Sequence, residues 1–203
     1  MAIEIELKAH VQNAEEVRKE IDRFAQYGYA YEKNDTYWYS RANETQASRA
    51  LPGGLRIRTE KQTGNGDESR ETVLVTYKSK ELRDGIEVNE EHEFSISGEG
   101  AFTELLSRLG FEPGISKKKT GWSWSYTGIT MELSLVDGLG WFLELEILAD
   151  KKVRGGETVL EQSRKRLLDL LKKTGIPESA IEPRYYTEML REVRGSGKNR
   201  SGN

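Results

Sequence analysis

The chain has no cysteine among its 203 residues and only two histidines. The first absence excludes disulfide scaffolds, zinc–thiolate sites and cysteine nucleophiles. The second leaves no histidine-rich metal centre, so any bound metal must be a hard ion held by oxygen. No stretch approaches the roughly 18 consecutive apolar residues of a membrane span. Residues 1–8 alternate acid and aliphatic instead of joining a basic start to an apolar run, as a signal peptide does. The expectation is a cytoplasmic protein with no membrane contact. The charge of one sign is also missing: 31 basic residues against 34 acidic ones give a net charge of −3. That is not the basic footprint of a general nucleic-acid binder, and no nucleic-acid partner is expected.

What is present is charge of both signs, 32% of residues, beside 35% hydrophobic residues and a full set of aromatics (4 Trp, 9 Tyr, 5 Phe). Disordered chains are aromatic-poor, so a folded protein with a polar interior or cleft is expected. Strict alternation makes 2–10 a strand, with Ile3, Ile5, Leu7 and Ala9 on one side and Glu4, Glu6, Lys8 and His10 on the other. Ala14, Val17, Ile21 and Phe24 fall at helical spacing, predicting a helix over 13–26. Further strands are predicted at 29–41, from Leu55, at 72–79 and at 86–97. Residues 42–53 form a loop, 61–71 a turn-rich connection, and 80–85 a turn. A second helix ends at Gly110, and 111–126 is a strand or bent pair. A hairpin pairs 129–136 with 141–149, a long helix covers 156–174, and a short one 186–193. The boundaries drawn are one α+β domain over 1–194, around an antiparallel sheet or barrel, and a disordered tail over 195–203.

The placement of the charges is more informative than their number. Within strands they recur at i and i+2: Glu4, Glu6 and Lys8; Arg56 and Arg58; Glu91 and Glu93; Lys117 and Lys119; Glu144 and Glu146. Lys78 and Glu132 stand on strands of their own. One reading makes each charged face a solvent face, as on half-exposed antiparallel strands. The other turns the charged faces inward to line a barrel, with the apolar faces packed outward beneath the helices. Such an interior is costly unless opposite charges pair and a ligand completes the set. Lysines and arginines without cysteine or histidine suit a phosphate polyanion. Clustered glutamates suit Mg2+ or Mn2+. Together they suit a metal-bound polyphosphate. The alternation aims Lys117 and Lys119 inward and Lys118 outward. His92, in phase with Phe94 and Ile96, reads as packed.

Several of these motifs, in order, resemble the CYTH or triphosphate tunnel metalloenzyme superfamily, which groups class IV adenylate cyclases, thiamine triphosphatases, inorganic tripolyphosphatases and fungal-type RNA triphosphatases. Glu4-Ile5-Glu6-Leu7-Lys8 resembles its Glu-x-Glu-x-Lys signature. Asp35-Thr36-Tyr37-Trp38, Leu55-Arg56-Ile57-Arg58, Val75-Thr76-Tyr77-Lys78, Glu91-His92-Glu93, Lys117-Lys118-Lys119, the run from Gly138 to Glu146 and Arg184-Tyr185-Tyr186 are similar to the motifs that follow. The resemblance covers about residues 1–192. It implies an eight-stranded antiparallel β-barrel tunnel with helices outside. It implies that Lys8, Arg56, Arg58, Lys78, Lys117, Lys119 and Arg184 bind the triphosphate. Glu4, Glu6, Glu91, Glu93, Glu132, Glu144 and Glu146 are the candidate ligands of Mg2+ or Mn2+, and Glu4, Glu6 and Lys8 the candidate catalytic residues. The sequence departs from the family at Ser134, where an Asp is usual, although Glu132 faces the same way. Asn89 replaces a common basic residue, Lys119 an Arg and Tyr185 a Ser.

Three activities are compatible with this reading. The first is hydrolysis of a nucleoside triphosphate, thiamine triphosphate or tripolyphosphate. The second is an adenylate cyclase of the class IV type, making cyclic AMP and pyrophosphate, with Tyr29, Tyr31, Tyr37, Trp38 and Tyr39 as a stacking surface for the base. The third is binding of polyphosphate or nucleotide without turnover. The expected partner is a small triphosphate, and a homodimer agrees with the family resemblance.

Overall fold

A computed structural model describes residues 2–40, 53–64, 68–83, 85–150 and 156–198. Eight strands run in chain order: β1 (Ala2–Val11), β2 (Gln26–Ser40), β3 (Gly53–Thr63), β4 (Ser69–Arg83), β5 (Ile86–Ile96), β6 (Phe111–Tyr126), β7 (Ile129–Val136) and β8 (Gly140–Asp150). They close into one antiparallel barrel in the order β1-β5-β4-β3-β2-β6-β7-β8. Among the described residues four α-helices accompany the barrel: α1 (Ala14–Asp22), α2 (Gly100–Arg108), α3 (Gly156–Lys173) and α4 (Tyr186–Lys198).

The barrel is apolar outside and charged inside. On β1, Ile5, Leu7 and Ala9 face outward into a core completed by Met131 and Leu133 of β7 and Leu143, Leu145 and Ile147 of β8. Leu167, Leu170 and Leu171 of α3 and Ile21 of α1 cover this wall. Each fully buried aliphatic side chain contributes about 1.5–3 kcal/mol of transfer free energy, which holds α3 against the strands. A second cluster joins Trp38, Ile57 and Val75 to Leu106 of α2. A third, of Val136, Phe142, Tyr186 and Met189, fixes α4 to the β7–β8 hairpin. In that hairpin Gly138 takes a φ of +79°, which glycine adopts without a Cβ penalty. Gly121 has a different role: an added Cβ would lie 2.2 Å from the Leu133 carbonyl oxygen, so β6 and β7 approach closely there.

Several sequence boundaries shift. Helix α1 ends at Asp22, because the chain turns into β2 by Gln26, and residues 111–126 are one strand. The β3–β4 connection is shorter than expected, since both strands extend into it, and β4 runs on to Arg83. Helix α4 runs on to Lys198, past the expected end at 193. Most of the loop expected at 42–53 lies outside the described residues. His92 is not packed: its side chain is 53% exposed beside Glu90, because it faces away from the cavity that Glu91 and Glu93 line. Among the described residues no helix is long and apolar enough to cross a membrane.

Candidate active site in the barrel interior

The alternation that sends Ile5 and Leu7 outward sends Glu4, Glu6 and Lys8 inward, and the same holds around the barrel. The interior is a cavity of about 350 Å3, within the range of small-molecule sites. Glu4, Glu6, Arg56, Arg58, Lys78, Glu91, Glu93, Lys117, Lys119, Glu132, Glu144 and Glu146 all line it. Lys8 is buried at one end, its Nζ 2.5 Å from Glu87 Oε1. Lys118 points to solvent and pairs with Glu32 at 3.2 Å. The structure thus brings together every residue proposed from the sequence except Arg184. That side chain is half exposed and turned away, bonding Glu182 at 2.6 Å and Glu192 at 2.9 Å. The neighbouring Tyr185 and Tyr186 line the cavity instead.

Each cation is held by an acid from another strand. Arg58 makes a two-pronged contact to Asp35, Nε at 2.6 Å and Nη2 at 3.0 Å, and Lys117 reaches the same carboxylate at 3.1 Å. Burial opposes ionisation of Asp35, but Arg58 and Lys117 hold it well below the usual carboxylate range. Lys33 bonds Glu132 at 2.5 Å, and Lys119 bonds Glu144 and lies 3.5 Å from Glu132. Burial also opposes ionisation of Glu132, yet the two lysines keep its pKa low. Arg56 Nη2 donates to Glu91 at 3.1 Å and to Thr76 Oγ1 at 2.9 Å. Lys78 bonds Glu4 at 2.5 Å. Burial works against charge on Lys78 and Lys119, but the surrounding glutamates push both ammonium groups above their usual value.

A second set of acids is under-compensated. Glu6 and Glu146 are directly opposite each other on β1 and β8, and like charges so placed repel. Neither makes any of the ion pairs above. Burial, then Glu87 and Glu144, push the Glu6 carboxyl up to about 7. Burial, then Glu6, do the same to Glu146, also to about 7. Glu4 is pushed up to about 8 by burial and by sharing a hydrogen bond with Glu91. These three offer oxygen ligands only, and Glu6 and Glu146 share Lys78 as a neighbouring cation with Glu4, so the set fits a hard divalent cation by donor chemistry. Among the described residues no three such groups are already drawn into a cage. Glu4, for one, is folded onto Lys78.

Lys33, Asp35, Glu60 and Glu87 belong to this charge system and were not among the sequence candidates. Glu60 lies 4.0 Å from Lys33. A signal existed for Glu87, which shares the phase of Glu91 and Glu93. The aromatic strand divides by the same rule: Tyr29, Tyr37 and Tyr39 line the cavity, whereas Trp38 packs into the outer core.

The profile of the CYTH domain family matches residues 2–186. A solved structure from Pyrococcus horikoshii is similar to this chain with a TM-score of 0.78 at 26% identity, covering 93% of this chain and 98% of that one. A proposed adenylate cyclase of Vibrio parahaemolyticus superposes with a TM-score of 0.73 at 20% identity, covering 93% and 97%. A proposed adenylyl cyclase of Hippeastrum, whose dominant activity is that of a triphosphatase, does so with 0.63 at 18%, covering 96% of each chain. No curated protein sequence matches.

Proposed function

The chain belongs to the CYTH domain family, and from that premise and the layout of its interior we propose that it is a divalent-metal-dependent triphosphatase. The observation that carries the reading is the division of one enclosed wall into two sets. Arg56, Arg58, Lys78, Lys117 and Lys119 present cations from three strands. Glu6 and Glu146, with Glu4 nearby, present acids that lack matching cations. A triphosphate brings the anionic oxygens that the first set binds and arrives with the divalent ion that the second set fits.

Arg56 and Arg58 would grip phosphoryl oxygens with planar forks, and Lys78, Lys117 and Lys119 would add point charges. To do so they would exchange Glu91, Asp35, Glu4 and Glu144 for substrate oxygens, so those carboxylates would balance the cations before substrate binds. Lys8 would neutralise charge developing on the terminal phosphoryl group. Glu4, Glu6 and Glu146 would hold the ion. When bound, Mg2+ or Mn2+ would screen the phosphate chain and lower the pKa of an attacking water. Glu91, Glu93, Glu132 and Glu144 are already tied to cations and would support this set.

A second reading is favoured by Tyr29, Tyr37 and Tyr39 on the cavity wall. These rings could stack a nucleobase and allow a cyclase reaction on ATP. Incubation with tripolyphosphate and with ATP, in Mg2+ and in Mn2+, followed by anion-exchange chromatography, separates the readings. Orthophosphate that is absent from the Glu4→Gln and Glu6→Gln variants is expected. Cyclic AMP with pyrophosphate would favour the cyclase. Full activity in both variants would refute the assignment of these acids.

A further inference from the structure

Tyr186, the first residue of α4, sets its ring in the cavity wall with only 7% of the residue exposed. Three ammonium groups surround that ring. The Nζ of Lys117 lies 4.9 Å from its centroid, and those of Lys8 and Lys119 lie 5.5 Å away. Phe142 packs edge-on behind it, with centroids 5.1 Å apart. The hydroxyl is buried and has no hydrogen-bond partner among the described residues.

A buried hydroxyl without a partner is destabilising, and a phenylalanine would fill the same space without that cost. Packing against Phe142 therefore accounts for the ring but not for the oxygen. The acids that satisfy the neighbouring lysines are Glu87, Asp35 and Glu144. None of them reaches the phenol. Burial, followed by Glu144 and Glu6, pushes the Tyr186 phenol well above its usual value, so it stays protonated and keeps a proton to donate. What the phenol lacks is an acceptor oxygen within its own reach.

We propose that the Tyr186 hydroxyl is a substrate ligand, donating a hydrogen bond to a phosphoryl oxygen seated among Lys8, Lys117 and Lys119. This rests on the triphosphate reading above and adds to it a neutral donor supplied by α4. The phosphate end of the substrate then lies under α4, and the phenol senses whether that place is filled. Because α4 carries the donor, ligand binding and the docking of α4 are coupled.

The test compares wild type with Tyr186→Phe in the full chain, with tripolyphosphate as the probe. Affinity is measured calorimetrically in Ca2+ and in the absence of divalent metal, and thermal midpoints are measured without ligand. Loss of a hydrogen bond to a charged group is expected to weaken binding about 10- to 100-fold. The midpoint of the free variant is expected to stay equal or rise, because the unsatisfied group is gone. A merely structural role for the hydroxyl would move these readouts otherwise. Affinity within twofold of wild type, or a lowered midpoint with unchanged affinity, would overturn the inference while leaving the triphosphate reading intact. A wild type that binds no tripolyphosphate under either condition would overturn both.

Discussion

Replacing Asp35 by Asn tests the idea that the interior is held together by its own opposed charges. Asp35 is 2% exposed, and its carboxylate serves Arg58 through two contacts and Lys117 through a third. The substitution leaves the volume almost unchanged and removes the anion that Lys117 and Arg58 share, leaving Arg58 only the more distant Glu60 at 3.9 Å. Breaking a buried pair from one side typically costs about 3–5 kcal/mol. For a chain of this size each kcal/mol moves the thermal midpoint by about 2–4 °C, so a loss of roughly 6–20 °C is expected. The pH dependence has a definite sign. The Asp35 pKa is lower in the folded than in the unfolded state, so its contribution is complete above the unfolded value of about 3.9 and is lost as pH falls below it. Asp35→Asn should therefore flatten the acid limb of the stability profile below about pH 4. Urea denaturation between pH 2.5 and 7 measures both effects. Adding Arg58→Gln should cost less than the sum of the two single changes, because the second removes a cation whose nearest anion the first already took away. A loss below about 1 kcal/mol at pH 7, or strict additivity, would refute the reasoning.

Two other predictions follow from placement. Arg184→Ala should leave KM for tripolyphosphate within about twofold, since the side chain is turned outward onto Glu182 and Glu192. A tenfold rise in steady-state KM would contradict that placement. Gly121→Ala should destabilise by about 1–3 kcal/mol or more, because its Cβ would collide with the backbone of Leu133 and Ser134. Chemical denaturation checks it, and an unchanged midpoint would rule out the close approach of β6 and β7.

The inward set was legible wherever one strand face was charged and the other apolar. In Glu4-Ile5-Glu6-Leu7-Lys8 and Leu55-Arg56-Ile57-Arg58 the period alone tells the two faces apart. It was not legible where both faces carry charge. In Glu32-Lys33-Asn34-Asp35 the outer residues Glu32 and Asn34 are as polar as the inner Lys33 and Asp35, so the alternation is blank. The same holds around Glu60, which is followed by Lys61. Arg184 sits between a short turn and a helix, where no period sets the direction of a side chain, and the resemblance to a family motif misplaced it. His92 shared a phase with apolar neighbours, but phase tells inside from outside and does not say whether a helix covers the outside. The division of the acids into compensated and uncompensated sets depends on which strands become neighbours. Only the closed order of the strands sets Glu6 opposite Glu146.

The most direct test of the central claim is a crystal structure with a slowly hydrolysed triphosphate and Mn2+, recorded with anomalous data. The account predicts an anomalous peak at Glu4, Glu6 and Glu146, with the phosphate chain along Arg56, Arg58, Lys78, Lys117 and Lys119. A triphosphate bound outside the barrel, or an ion held by acids elsewhere on the chain, would contradict it.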